Sequence, residues 1–311
     1  MSEYDLFPTL LLDPAKLREK MAMVENELRY APINHDHGPS YYKALHGCLR
    51  RYFALKDDDG DGGKDADFGT AIHAALHAYH CGEAAVPLSN IRPKQSNGKD
   101  KGCSEAELFG RYVRRFPAAC LGTPLLAEQR LEGTLAGEPI GGTVDWVGDF
   151  DAATCAWWAA NRGMSGLRPG AYLIDWKTKT SKSAHLIGQY MGDPQFVQYA
   201  ELWRQREAQN ECASARDGGD GAVPYAPRPL RGIIIIALFR YTEDKDDGVL
   251  TLLLPPPGEE DLAVVKSLVK GGAERLRTLG PQHATPTHCY DWMRACPLLE
   301  RGCSRHNENT L

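Results

Sequence analysis

The chain has 311 residues, a formal charge of −5, and 42% hydrophobic and 25% charged residues. These proportions suit a globular protein whose core fills one elaborated domain or two small ones. They exclude a protein that coats nucleic acid through bulk positive charge. No apolar run approaches the roughly 20 residues of a membrane span, and the N-terminus lacks a signal-peptide pattern. Nine cysteines without a secretion signal fit a reducing cytoplasm better than a disulfide framework.

Residues 1–35 are mixed and read as an arm. Ser40 to Lys56 reads as an amphipathic helix, with Tyr41, Leu45, Leu49 and Tyr52 on one stripe and Arg50 and Arg51 beside it. The acidic run Asp57 to Asp67 imitates the opening of a calcium loop, but Phe68 stands at position twelve, where a bidentate Glu is needed. It therefore reads as a solvated loop. Helices are expected over Phe68 to Cys81 and within Ser104 to Phe116. Arg92 to Arg115, which runs into the second of these, holds seven Lys/Arg against three acids, a segment that either touches phosphates or forms an ordinary solvated face.

Strands are expected at Leu125 to Leu131, Ile140 to Val147 and Tyr172 to Lys177, with an insertion near 151–171. A helix follows from Pro194 to about Gln209. The Gly-, Pro- and Asp-rich stretch near 211–231 reads as a second insertion. Ile233 to Tyr241 and Val249 to Leu254 complete the strands, the former apolar enough for a central position. Glu259 to Leu279 reads as a helix. The pattern predicts an α/β (α+β) fold, a mixed central sheet flanked by helices with helical extensions at both ends. The expected division is 1–67, 68–256 and 257–311.

Two strands carry acids. Asp145 lies between Val144 and Trp146, and Asp175-Trp176-Lys177 closes the strand that begins at Tyr172. An acid in a half-buried strand is costly unless paired or metal-bound. Two acids and a lysine suggest a divalent cation beside a phosphate, with the ammonium steadying negative charge. Asp145 and Asp175 offer the hard oxygens that Mg2+ or Mn2+ prefers. Each residue has a plainer reading as well: a strand-end charge for Lys177, an edge-strand acid for Glu128, a core or surface imidazole for His73.

In chain order, Gly69-x-x-x-His73, Glu128, Asp145, Asp175-Trp176-Lys177 and Gln195-x-x-x-Tyr199 form a series. This series resembles the RecB-like exonuclease branch of the PD-(D/E)XK nuclease superfamily over roughly Ser40 to Trp203. The resemblance implies a restriction-endonuclease-like core and Mg2+- or Mn2+-dependent hydrolysis of phosphodiester bonds. The metal shell it implies is His73, Asp145, Asp175 and the Trp176 carbonyl. Catalytic roles fall on Asp145, Asp175, Lys177 and Glu128, and DNA or supporting contacts on Gln195, Tyr199, Arg50 and Arg51. The chain departs from the family in two ways. Asp145 and Asp175 are 30 positions apart, more than a tight hairpin needs, and Asp175 stands where many members carry Glu. The implied partner is linear single- or double-stranded DNA, with a helicase or recombination protein as a further partner and no membrane. The implied setting is recombination, repair or phage replication in a bacterial or phage-infected cytoplasm. A noncatalytic DNA-binding or assembly subunit that keeps the fold is the alternative.

Cys289-x6-Cys296-x6-Cys303 ends the chain, and Cys48 lies far upstream. Four thiolates suit a [4Fe–4S] cluster or Zn2+, with His288 and His306 as substitute zinc ligands. Some RecB-like nucleases tie one N-terminal and three C-terminal cysteines to such a cluster, and the resemblance extends that expectation here. If Cys48, Cys289, Cys296 and Cys303 hold [4Fe–4S], anaerobically purified protein is brown and carries about four irons per chain. Colourless, iron-free protein under those conditions would remove the cluster.

Overall fold

The computed structural model describes residues 63–92, 102–179, 190, 193–217, 225–240 and 248–279. The expected helix Ser40 to Lys56 with Arg50 and Arg51, the acidic run as far as Gly62, and the quartet Cys48, Cys289, Cys296 and Cys303 lie outside them. The elements are α1 (Gly63–Cys81), α2 (Glu105–Val113), a short 3-10 helix (Ala118–Leu121), β1 (Thr123–Leu135), β2 (Glu138–Phe150), α3 (Ala152–Arg162), β3 (Gly170–Lys179), α4 (Pro194–Asp217), β4 (Leu230–Phe239), β5 (Val249–Leu254) and α5 (Glu259–Leu279). The unit that carries Asp145, Asp175 and Lys177 comprises Gly62–Gly133 and Gly141–Val265.

The five strands form one sheet in the order β1-β2-β3-β4-β5. β2 and β3 are antiparallel, β3 and β4 parallel, β4 and β5 antiparallel. The sheet is mixed and flanked by helices, as the element pattern predicts. Parallel pairing of β3 and β4 requires a crossover, and α4 lies within it. β4 is buried throughout Ile233 to Phe239, which explains its continuous apolar run between two partner strands.

One face of the sheet carries the main core. Ile72 and Leu76 of α1, Leu108 and Tyr112 of α2, and Trp158 of α3 meet Trp146, Phe150, Tyr172, Ile174, Trp176, Ile234 and Ile236. Two indoles fasten the 3-10 turn to this core. Trp146 Nε1 donates to the Leu121 carbonyl at 3.1 Å, and Trp158 Nε1 to the Cys120 carbonyl at 2.7 Å. The turn comes so near β2 that a Cβ on Gly148 would collide with the Leu121 carbonyl oxygen. On the other face, α4 packs against β4.

Three sequence expectations need correction. α1 begins at Gly63, so the acidic loop ends earlier than Asp67. The insertion near 151–171 contains α3, an ordinary capped helix. The Asp151 carboxylate accepts from the Thr154 N–H at 2.7 Å, and Gly163 ends the helix in the left-handed region at φ 68°. Trp158 is fully buried and Trp157 packs beside it, so aromatic burial holds this helix down. The insertion near 211–231 also shrinks, because α4 runs on to Asp217. No Gly or Pro interrupts it before Gly218.

At the start of α2, Ser104 and Glu107 form a capping box. Ser104 Oγ accepts from the Glu107 N–H at 3.2 Å, and the Glu107 carboxylate accepts from the Ser104 N–H at 2.8 Å. Arg92 pairs with the same carboxylate, so at least one cation of the basic segment has a structural partner. The Arg92 guanidinium, then the Ser104 N–H, hold Glu107 down at about pKa 2. A depressed folded pKa gives stability that is present above the unfolded value and lost as pH falls through the folded one. Glu107→Ala therefore lowers stability by about 1 kcal/mol at pH 7, the scale of a lost cap at a screened, part-exposed position. Denaturant melts at stepped pH should show this deficit shrinking between about pH 4.5 and pH 2. A deficit that stays constant to pH 2 would rule out the ionised carboxylate as its source.

Candidate functional site

β2 and β3 pair from Phe150↔Gly170 to Trp146↔Ile174. One step further, the main-chain ladder gives way to a side chain: Asp145 Oδ2 accepts the Trp176 N–H at 2.9 Å. A strand residue directs its N–H and C=O toward the same neighbour, so the Trp176 carbonyl faces the Asp145 side too. Alternation along β3 sends Tyr172, Ile174 and Trp176 into the main core and sends Asp175 and Lys177 to the opposite face.

Asp175 is 1% exposed. Lys177 Nζ donates to its Oδ1 at 2.9 Å and lies 2.8 Å from Oδ2. The second contact is a charge contact only, since buried Oδ2 has no hydrogen bond of good geometry. Burial pushes the Asp175 carboxyl well above the usual range, against the pull of the Lys177 ammonium, and Asp145 adds to the rise. On the same face, Lys177 Nζ lies 5.9 Å from the Phe196 ring of α4.

α1 delivers His73. Its Nδ1 lies 3.6 Å from Asp145 Oδ2, and its ring meets Trp176 edge-on. Gly69, one turn earlier, lies close to β3: a Cβ there would sit 3.0 Å from Thr178 Oγ1. Burial opposes charge on the imidazole. The neighbouring Asp145 carboxylate, with the charges of Asp175 and Glu128, outweighs it, so the His73 pKa rises.

β1 delivers Glu128 through a strained backbone, with φ at 45° where no glycine relieves it. Glu128 is exposed as a residue, yet its carboxyl end is partly enclosed, and this together with Asp145 raises its pKa. Ligand atoms of His73, Glu128 and Asp145 all lie within 4.8 Å of one another. Three of the sequence-predicted residues, His73, Glu128 and Asp145, thus meet, and β3 presents Asp175 paired with Lys177.

These residues fit a divalent cation. Three carboxyl groups stand against one ammonium, two of the three carboxyls have raised pKa values, and a buried carboxylate oxygen lacks a hydrogen bond. A cation would favour the ionised forms. Hard oxygens with one imidazole suit Mg2+ or Mn2+, the imidazole favouring Mn2+.

Gln195 and Tyr199 share one face of α4, where Gln195 Nε2 donates to Tyr199 Oη at 3.2 Å. Tyr199 is buried against β2: a Cβ on Gly142 would lie 2.5 Å from its Cε1. Gln198 Nε2, one residue before, donates to the Gly141 carbonyl at 2.9 Å. This location gives Tyr199 the work of seating α4 on β2. Gln195 is only part-buried.

Sequence reasoning passed over both His80 and Tyr112. Trp176 Nε1 donates to Tyr112 Oη at 3.3 Å, Tyr112 stands 2.7 Å from His80 Nε2, and His80 Nδ1 stands 2.8 Å from the Ala118 carbonyl. Burial, only partly offset by that carbonyl, lowers the His80 pKa to about 4. The ring is therefore neutral, with its proton on Nδ1 directed at the carbonyl and Nε2 accepting from Tyr112. His80 also stacks on the Trp176 indole at 5.9 Å between centroids. The relay fixes the residue whose backbone borders Asp145. Its only trace in the sequence is the 3.6-residue spacing that places His80 and Leu76 on one side of α1.

No protein-family model matches the sequence, and no curated protein matches it. Among solved structures the chain is similar to the protein SSO0001, with 13% identity over 84% of this chain and 86% of that one, at a TM-score of 0.37. It is also similar to a candidate exonuclease from Eubacterium rectale, with 12% identity over 86% of both chains, at a TM-score of 0.36. Similarity at this level identifies no family.

The strain at Glu128 yields a test. Glu128→Gly relieves the positive φ and should stabilise the fold by about 1 kcal/mol while weakening divalent-cation binding. Thermal melts and Mn2+ titration of the pair measure both. A variant that is destabilised and binds Mn2+ normally would show that β1 is bent there for packing alone.

Proposed function

We propose that the chain is a metal-dependent nuclease that hydrolyses DNA phosphodiester bonds, working on linear ends as an exonuclease. The observation that carries this reading is the meeting of His73, Glu128 and Asp145, with ligand atoms within 4.8 Å, beside the Asp175–Lys177 pair. The order of the motif residues along the chain and its likeness to the RecB-like pattern support it.

Asp145, Asp175, His73 and the Trp176 carbonyl would hold Mg2+ or Mn2+. When bound, the cation supplies Lewis-acid polarisation of the phosphate and makes water a better nucleophile. The chain's own residues do the rest. Glu128 orients the attacking water from its bent strand. Lys177, anchored on Asp175, keeps ammonium hydrogens for a phosphate oxygen and steadies the charge that grows on the pentacovalent phosphorus. Asp145 does two jobs, since it also accepts the Trp176 N–H and so fixes the distance between the strands that carry the acids. Gln195, part-buried on α4, borders the same face as Lys177 and is suited to contact the DNA backbone. A subunit that merely binds DNA would have no need of a lysine anchored on a buried aspartate.

Labelled linear DNA incubated with Mg2+, Mn2+ or EDTA tests the assignment. Asp175→Ala should abolish cleavage while leaving DNA binding within a few-fold, because phosphate-binding cations lie elsewhere. Asp175→Ala with normal turnover at saturating Mg2+ would overturn the reading.

Lys177→Ala should lower kcat by about 100-fold or more while keeping the cation, and Lys177→Arg should restore little of it. Normal rates with weakened Mg2+ binding in both variants would reassign Lys177 to the cation shell.

A further inference from the structure

We propose that His77, Cys81 and Glu83 form a second cation site, built for a thiophilic divalent ion such as Zn2+ and separate from the centre at Asp145. His77 and Cys81 are one helical turn apart and share a face of α1. His77 Nε2 lies 3.6 Å from Cys81 Sγ. A tetrahedral ion with metal–nitrogen bonds of about 2.0 Å and metal–sulfur bonds of about 2.3 Å spaces two such ligands about 3.5 Å apart. The two atoms already have the separation of ligands to one ion.

The end of α1 brings in the third group. Gly82 adopts φ 68°, and the Glu83 N–H donates to the Ala78 carbonyl at 2.9 Å, the two marks of a Schellman ending. This turn folds the chain back along the helix and leaves Glu83 Oε2 3.7 Å from the His77 ring, at Nδ1; an ion takes one ring nitrogen only, so the imidazole supplies a single ligand atom and the carboxylate must swing toward it. Ligand atoms of the three residues lie within 4.8 Å of one another. The donor set is one imidazole, one thiol and one carboxylate. It is softer than the oxygen-rich set around Asp145, so the two sites sort cations by chemistry. His77 and Cys81 are water-accessible, which gives the ion a route in and leaves room for water to complete the shell.

Bound there, an ion would clamp the last turn of α1 to the segment that follows it. The site therefore gives Zn2+ a place to act on the protein without entering the Asp145 centre.

Co2+ titration of the full chain tests this by absorption, independently of nuclease activity. Wild type should show a thiolate-to-cobalt charge-transfer band that loses one thiolate's contribution in Cys81→Ser. His77→Ala should weaken cobalt binding at this site by about 100-fold or more, and Glu83→Gln by about tenfold. Cys289→Ser serves as the control for thiolates elsewhere and should leave the Cys81 contribution intact. Spectra and affinities in Cys81→Ser and His77→Ala that equal those of wild type would overturn the proposal, and would mean that any cobalt–thiolate signal arises at other cysteines.

Discussion

The hydrogen bond from the Trp176 N–H to the Asp145 carboxylate stands where β2 and β3 stop pairing through their backbones. Up to Trp146 and Ile174 the strands are joined by the ladder, and beyond them this side chain takes up the Trp176 N–H. A backbone donor at such a position must find a partner, or burial costs about 1–3 kcal/mol. Supplying that partner from a carboxylate solves the structural problem and at the same stroke leaves an acid in the sheet. Around it, α1 brings an imidazole, β1 a second acid, and β3 the buried Asp175 with its lysine. The helices that press on the opposite side of β3 exist, in this light, to keep one peptide unit still.

The charge balance of the site follows from that arrangement. Acids that lie close together inside a fold resist ionisation, and Lys177 and His73 counter them at close range. The fold accepts this repulsion and the bent backbone at Glu128 together. Both are local costs, and such costs collect where a binding function sets the geometry.

Much of this was legible in the sequence because it is written in short-range pattern. The apolar run of β4 and the alternation in β3 each leave a local signature, and β5 and α5 have the very bounds their patterns predict. The acids and the lysine were legible because charge inside an apolar strand is conspicuous. What escaped notice depends on tertiary contact. α3 was hidden because Gly and Pro residues after it gave its whole stretch the look of a loop, although Asp151 and Gly163 mark its two ends. The burial of Tyr199 depends on Gly142, 57 positions earlier, and no local window joins them. The strained φ of Glu128 has no sequence signature, since Glu is not a residue type that favours it.

The relay from Trp176 through Tyr112 and His80 to the Ala118 carbonyl has a consequence for how this protein can change over generations. Each member both satisfies and is satisfied by its neighbour, so a single replacement such as Tyr112 by Phe strands an imidazole nitrogen and an indole N–H in the interior together. Replacing the three side chains with apolar ones at once would leave far fewer polar atoms without partners. Single steps therefore lead downhill in fitness and the joint step does not. Lineages descended from this chain should hold the three positions as a block, either all kept or all exchanged, even though two of them never touch the acids they steady.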